Sequence, residues 1–166
     1  MDGNTLQARL DELFAYADET MKTKQMFPYV SFLLKNGTVI ARGSNEERET
    51  ADVTRQDKIV TIRNAQQALG VSDLSGYTLL SIFEPTIMEF DVALWAGITD
   101  FMWCIDSRSL PKHYNNLKYT PLDYAYSHPK KIHITHNLRE SEAMKLIEFA
   151  ESNTLYPYTL PNYDDR

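Results

Sequence analysis

Cysteine is all but missing. Cys104 is the only one in 166 residues. A single thiol excludes an internal disulfide and any zinc site built from several cysteines, and a reducing, cytoplasmic setting is expected. Long apolar runs are absent as well: no stretch approaches the ~20 residues that span a bilayer, so no membrane partner is expected. The opening MDGNTLQARLDE has no basic segment followed by an apolar one, and no secretory signal is expected. Positive charge is in deficit, with 17 Lys and Arg against 23 Asp and Glu, a net charge of −6. Nucleic acid is therefore not expected as a partner, because basic faces that neutralise phosphate supply most of that affinity. No glycine-rich phosphate loop, serine elbow, Cys-x-x-Cys pair or internal repeat occurs. What remains is 43% hydrophobic and 24% charged residues, an ordinary balance for one globular domain over residues 1–166.

Leu6, Leu10, Leu13, Phe14, Ala17 and Met21 recur at three- and four-residue steps and predict a core-facing first helix. Asn36-Gly37 between the runs Tyr29–Lys35 and Thr38–Arg42 predicts a hairpin, because both turn residues tolerate positive φ. A polar loop from Ser44 to Thr54 leads to a helix over about Arg55–Leu69, stopped by Gly70. Tyr77–Phe83 reads as a buried strand, Ile87–Ala96 as a short helix and Phe101–Ile105 as a second buried strand. A helical turn near Leu122 and a strand over Lys131–Thr135 follow. A last helix is capped by Asn137 with Glu140, placing Ala143, Met144, Ile147 and Ala150 inward. Strands alternating with helices predict an α/β fold: a three-layer α/β/α sandwich on a mixed five-stranded sheet begun by an antiparallel hairpin.

Several short motifs occur in order: Pro28-Tyr-Val-Ser31, Gly43-Ser-Asn45, Asp52-Val-Thr-Arg-Gln-Asp-Lys58, Leu74-Ser-Gly-Tyr-Thr-Leu-Leu80, Glu84-Pro-Thr-Ile-Met-Glu89 and Leu94-Trp-Ala96. In kind and spacing this set resembles the cytidine deaminase-like superfamily, in the branch of guanine, cytosine and transfer-RNA adenosine deaminases. The resemblance covers about Phe27 to Cys104, with the last strand and helix near 131–151. It implies a zinc ion held by one His or Cys and two Cys, with a Glu two residues past the first ligand moving protons. At those positions this chain carries Gln56 and Thr86, with Glu89 as the third and Lys58 in place of the proton carrier. The resemblance thus leads to a degenerate site, with no metal, no cofactor and no catalytic residue. It also gives Asn45 and Phe27 as residues of a nucleoside or nucleobase pocket; an Asx-turn is the structural alternative for Asn45.

The replacements suit another task. Thr86-Ile-Met-Glu89 has the form of a capping box, and Thr54-Arg-Gln-Asp57 has the same pattern at the preceding helix. Asp57, Lys58 and Glu89 read as a charge cluster in which the lysine ammonium stands in for the metal. His113, His128, His133 and His136 show no metal-ligand spacing. Seven tyrosines after His113 (Tyr114, Tyr119, Tyr124, Tyr126, Tyr156, Tyr158 and Tyr163) suit a core or a subunit interface. The leading expectation is a catalytically inactive deaminase homologue acting through binding, as a homodimer or in a heteromer with an active deaminase. Two alternatives are a nucleoside sensor and an enzyme using Lys58 as nucleophile or base. Phe90 and Trp95 are the residues expected either at a subunit interface or in the core.

Overall fold

The structure is a computed structural model that describes residues 1–110, 119–129 and 131–155. His113, Tyr114, Tyr156, Tyr158 and Tyr163 lie outside the described residues. Helix α1 (Gly3–Lys24) starts where the Asp2 carboxylate accepts the Thr5 N–H at 2.9 Å. It buries the expected stripe of Leu10, Leu13, Ala17 and Met21. Strands β1 (Val30–Lys35) and β2 (Thr38–Ser44) form the expected hairpin. Asn36 and Gly37 both have positive φ, 50° and 79°, the twist a two-residue hairpin turn needs.

The polar stretch after β2 contains one helical turn that the sequence did not announce, α2 (Glu47–Thr50). Then come α3 (Asp57–Leu69), β3 (Thr78–Phe83), α4 (Ile87–Trp95), β4 (Asp100–Ile105) and a 3₁₀ turn over Ser107–Ser109. The chain continues with α5 (Pro121–Ser127), β5 (His133–Thr135) and α6 (Glu140–Ser152). The sheet order is β2-β1-β3-β4-β5. β1 is antiparallel to both neighbours, and β3, β4 and β5 are mutually parallel. Parallel neighbours need crossovers, which α4 and α5 provide.

Side chains alternate across the sheet and separate two cores. Phe32 and Leu34 of β1, Leu80 and Ile82 of β3 and Cys104 of β4 pack with α1 and with Ala143, Ile147 and Ala150 of α6. Leu33, Leu79, Phe101 and Trp103 pack on the other side with Ile62 and Ala65 of α3 and Phe90, Ala93 and Leu94 of α4. The three-layer α/β/α arrangement and the mixed five-stranded sheet are those expected. Phe90 belongs to the second core, its ring 4.5 Å from that of Phe101, whereas Trp95 is 86% exposed.

Two caps differ from expectation. The residue that caps α3 is Gln56, without a side-chain bond. Thr54 instead bonds back to Asp52, its N–H and hydroxyl both donating to Oδ1 at 2.9 and 2.7 Å, so an Asx-turn wins over the helix cap. At α6 the cap is Arg139, in the left-handed region like Asn137 (φ 54° and 58°). Its guanidinium joins Glu142 and, at 2.5 Å, Asp11 of α1, and lies over the Phe14 ring. A tertiary clasp between α1 and α6 thus takes precedence over the local capping pattern. Among the described residues no helix is long and apolar enough to cross a membrane.

Candidate functional site

β3 ends at Phe83, and Glu84-Pro85 carries the chain to the start of α4, while β2 and its following loop deliver the start of α3. Gly43 permits their close approach. A Cβ there would stand 2.7 Å from the Asp57 carbonyl oxygen and 2.7 Å from the Thr61 nitrogen, below any ordinary contact. Behind it, the Thr61 hydroxyl bonds the Ser31 carbonyl at 3.1 Å and shares a 2.8 Å bond with the Ser31 hydroxyl. The two helices therefore begin beside each other, with their free N–H groups converging.

Gln56, Lys58, Thr86 and Glu89 all meet there. Thr86 caps α4, and the capping box is complete: the Glu89 N–H donates to Thr86 Oγ1 at 3.3 Å, and the Thr86 N–H donates to Glu89 Oε2 at 2.7 Å. Thr86 Oγ1 also lies 3.0 Å from Gln56 Oε1 and 3.0 Å from Glu89 Oε2. The Lys58 ammonium sits 3.1 and 3.2 Å from the two Asp57 carboxylate oxygens and 3.4 Å from Glu89 Oε1. That same Glu89 oxygen accepts the Lys58 N–H at 3.4 Å. One carboxylate therefore serves both helix starts and the ammonium.

The cluster is dry. The Lys58, Asp57 and Glu89 side chains are 2%, 3% and 2% exposed. Burial pushes the Asp57 carboxyl up to about 6 against the pull of Lys58, and the Glu89 charge pushes the same way as burial. Burial also works against the Lys58 charge, but Asp57 and Glu89 outweigh it and hold the ammonium above its ordinary range. Desolvation and the attraction between Asp57 and Lys58 are thus opposed at both groups.

A cleft of about 50 Å³ adjoins the cluster, lined by Asn45, Tyr29, Phe83 and Glu84 besides the residues above. Asn45 makes the Asx-turn, its Oδ1 accepting the Glu47 N–H at 2.9 Å. Its Nδ2 makes no hydrogen bond with the described residues. Phe27 is buried in the first core and stacked on Tyr29, ring centroids 6.1 Å apart. Tyr29 and Phe83, which the sequence did not single out as pocket residues, are the aromatic residues that line the cleft. Glu84 was legible only as part of a motif. Its carboxylate accepts the Ser107 N–H at 2.7 Å and the Leu122 N–H at 3.3 Å, tying α5 and the 3₁₀ turn to the cleft. Further along the same sheet edge, Asp106 accepts Trp103 Nε1–H at 2.6 Å and lies 3.0 Å from His136 Nδ1. Glu84, Asp106 and His136 are each the first residue past a parallel strand, where α/β folds place polar groups. For Asp106 and His136 that position was the only signal in the sequence.

No profile of a known protein family matches the chain. A tRNA-specific adenosine deaminase of Agrobacterium fabrum is 43% identical over 61 residues, 37% of this chain and 40% of that protein. A tRNA(Ile)-lysidine synthase of Deinococcus radiodurans is 30% identical over 98 residues, 59% of this chain and 17% of that protein. The matched stretches thus span less than half the length of these curated relatives. Among solved structures, one from a study of A-to-I editing by tRNA:A34 deaminases at the wobble position of transfer RNA superposes with a TM-score of 0.68. It is 27% identical and the match covers 84% of this chain and 99% of that one. The guanine deaminase of Nitrosomonas europaea superposes with a TM-score of 0.77 at 19% identity, over 87% of this chain and 84% of that one. The fold is that of the cytidine deaminase-like superfamily.

Within this deaminase fold the cluster sits where the two helices begin, and its donors are amide, hydroxyl and carboxylate oxygens around an ammonium. Among the described residues no group of three or more His, Cys, Asp or Glu is placed to hold a metal ion. Cys104 lies in the first core, its thiol pushed up to about 12 by burial.

Proposed function

We propose that this chain is a non-catalytic homologue of the deaminases that acts through binding. One observation carries the reading: the four positions where the family resemblance calls for ligands and a proton carrier are committed to one another. Gln56 bonds Thr86, Thr86 bonds Glu89, and Glu89 and Asp57 hold Lys58. Zinc prefers sulfur and imidazole nitrogen. Here it would meet an ammonium, a neutral amide and a hydroxyl, with one carboxylate already shared between two helix starts. The donor set does not fit zinc, and the position of the proton carrier holds Lys58, an ammonium already bound by two carboxylates.

The cleft volume bears on the sensor alternative. Small-molecule sites run to roughly 300–1,000 Å³, whereas this cleft of about 50 Å³ suits one or two waters. Asn45 Nδ2 alone favours a nucleobase. The Lys58 alternative has less support, since a catalytic lysine needs a depressed pKa and this one is raised. Protein binding has more. A recess of about 400 Å³ between α3 and α4 is lined by Ile59, Ile62, Arg63, Met88, Val92 and Trp95, with Trp95 standing out of it. An exposed tryptophan beside an apolar recess is the composition of an interface, and a second copy of the chain is the partner we propose.

The test is direct. Purified protein is assayed for ammonia release from guanine, cytosine, cytidine, adenosine and transfer RNA, and its zinc content is measured after dialysis. Neither turnover nor bound zinc is expected. Turnover of any of these with one zinc per chain sinks the proposal. A thermal shift with a base or nucleoside would move the reading to the sensor.

A further inference from the structure

We infer that Asp57 and Glu89 form a seat for a hard cation, that the Lys58 ammonium occupies it, and that Lys58 is the residue that keeps divalent metal out. The inference rests on the reading of the site as non-catalytic, and its test fails separately from that reading.

The seat is defined by atoms. Both Asp57 oxygens lie within 3.2 Å of Lys58 Nζ, and Glu89 Oε1 lies 3.4 Å away. Gln56 Oε1 and Thr86 Oγ1, bonded to each other at 3.0 Å, stand beside Glu89. The carboxylate, amide and hydroxyl atoms named here are all oxygens. Oxygen sets select Mg²⁺, Mn²⁺ or Ca²⁺ over the metals that prefer sulfur and nitrogen. The adjoining space of about 50 Å³ leaves room for the waters such ions keep.

Charge points the same way. Two buried carboxylates face one buried ammonium, so one negative charge is left over within the cluster. A dication in place of the ammonium would balance it. Glu84 also lines the cleft, but the Ser107 and Leu122 N–H groups hold its two oxygens, so it is not a competing ligand. What bars a dication is the lysine stem: Nζ is covalently fixed within reach of all three oxygens, at an effective concentration no free ion matches.

The test is Lys58→Ala, purified with chelator and titrated with Mn²⁺ by electron paramagnetic resonance and by thermal unfolding. We expect one Mn²⁺ per chain, a rise in Tm on the order of 5 °C at a hundredfold excess over Kd, and Zn²⁺ binding no tighter than Mn²⁺. Adding Glu89→Gln should weaken Mn²⁺ by about tenfold or more, the scale of a lost charged ligand. The unaltered chain should bind none. A folded Lys58→Ala protein that takes no Mn²⁺, or an unaltered chain that binds it equally well, overturns the inference. Should Lys58→Ala not fold alone, it is refolded with and without Mn²⁺. Recovery with Mn²⁺ supports the seat, and failure in both overturns it. Deaminase turnover by the unaltered chain would sink the proposed function and leave the seat standing.

Discussion

At the residue scale the site is a three-body charge cluster, and this changes what single substitutions do. Lys58→Met strands two carboxylates in a dry pocket. Breaking a buried ion pair in this way costs about 3–5 kcal/mol. Glu89→Gln leaves the neutral pair Lys58–Asp57 in place and removes mainly cap bonds, worth about 1 kcal/mol. The double variant should recover part of the Lys58→Met loss, because one stranded charge disappears with it. Urea unfolding of the cycle is the measurement, and additive effects would mean that the ammonium and Glu89 do not interact. Asp57 gives a pH test. Its folded carboxyl, at about 6, lies above the ordinary value near 4. A raised carboxyl contributes stability that is present below its unfolded pKa and lost as pH rises through the folded one. The protein should therefore lose on the order of 2–3 kcal/mol relative to Asp57→Asn between about pH 4 and pH 7. A pH-independent difference between the two proteins would contradict the placement of Asp57.

At the element scale the site depends on two helix starts held together, and Gly43 is what allows this. Gly43→Ala forces a methyl against the Asp57 carbonyl and the Thr61 nitrogen, both backbone atoms that cannot swing aside. Overpacking of this kind costs about 1–3 kcal/mol. Slower hydrogen exchange at the Lys58 amide in the variant than in the unaltered protein would be the wrong sign. Local pattern was a sound guide to elements whose signals were self-contained. The Asn36-Gly37 turn, the α1 stripe and the Thr86–Glu89 box each involve residues a few positions apart. Pattern misled at Thr54–Asp57 and at Asn137–Glu140. At the first, Asp52 offered Thr54 a better partner; at the second, Arg139 rather than Asn137 takes the cap position.

At the scale of the whole molecule, the two apolar cores hold most of the buried hydrophobic residues, and Trp95 stands exposed beside the recess between α3 and α4. A proposed homodimer on this face predicts that Trp95→Glu yields a monomer of nearly unchanged fold stability, because the side chain is 86% exposed in the single chain. Sedimentation velocity at tens of micromolar reads the association, and urea unfolding reads the fold. An unaltered chain that sediments as a monomer would remove the dimer.

The order of strands and helices, the hairpin, the α4 cap and the charge inventory were written in the sequence, because each follows from residues near in the chain or from composition. Motif spacing also picked out Gln56, Lys58, Thr86 and Glu89, four positions that the fold brings together. Three things were not legible. Tyr29 rather than Phe27 faces the cleft, since which aromatic turns inward depends on how the chain enters β1. Phe90 is core and Trp95 is exposed, although both sit on one short apolar helix; only the packing of α4 on Phe101 separates them. Asp57 bonds Lys58 with both oxygens although the two are neighbours in the chain. That arrangement requires the Lys58 stem to be held inward by Glu89, 31 residues away, and burial that excludes the water each charge would otherwise prefer.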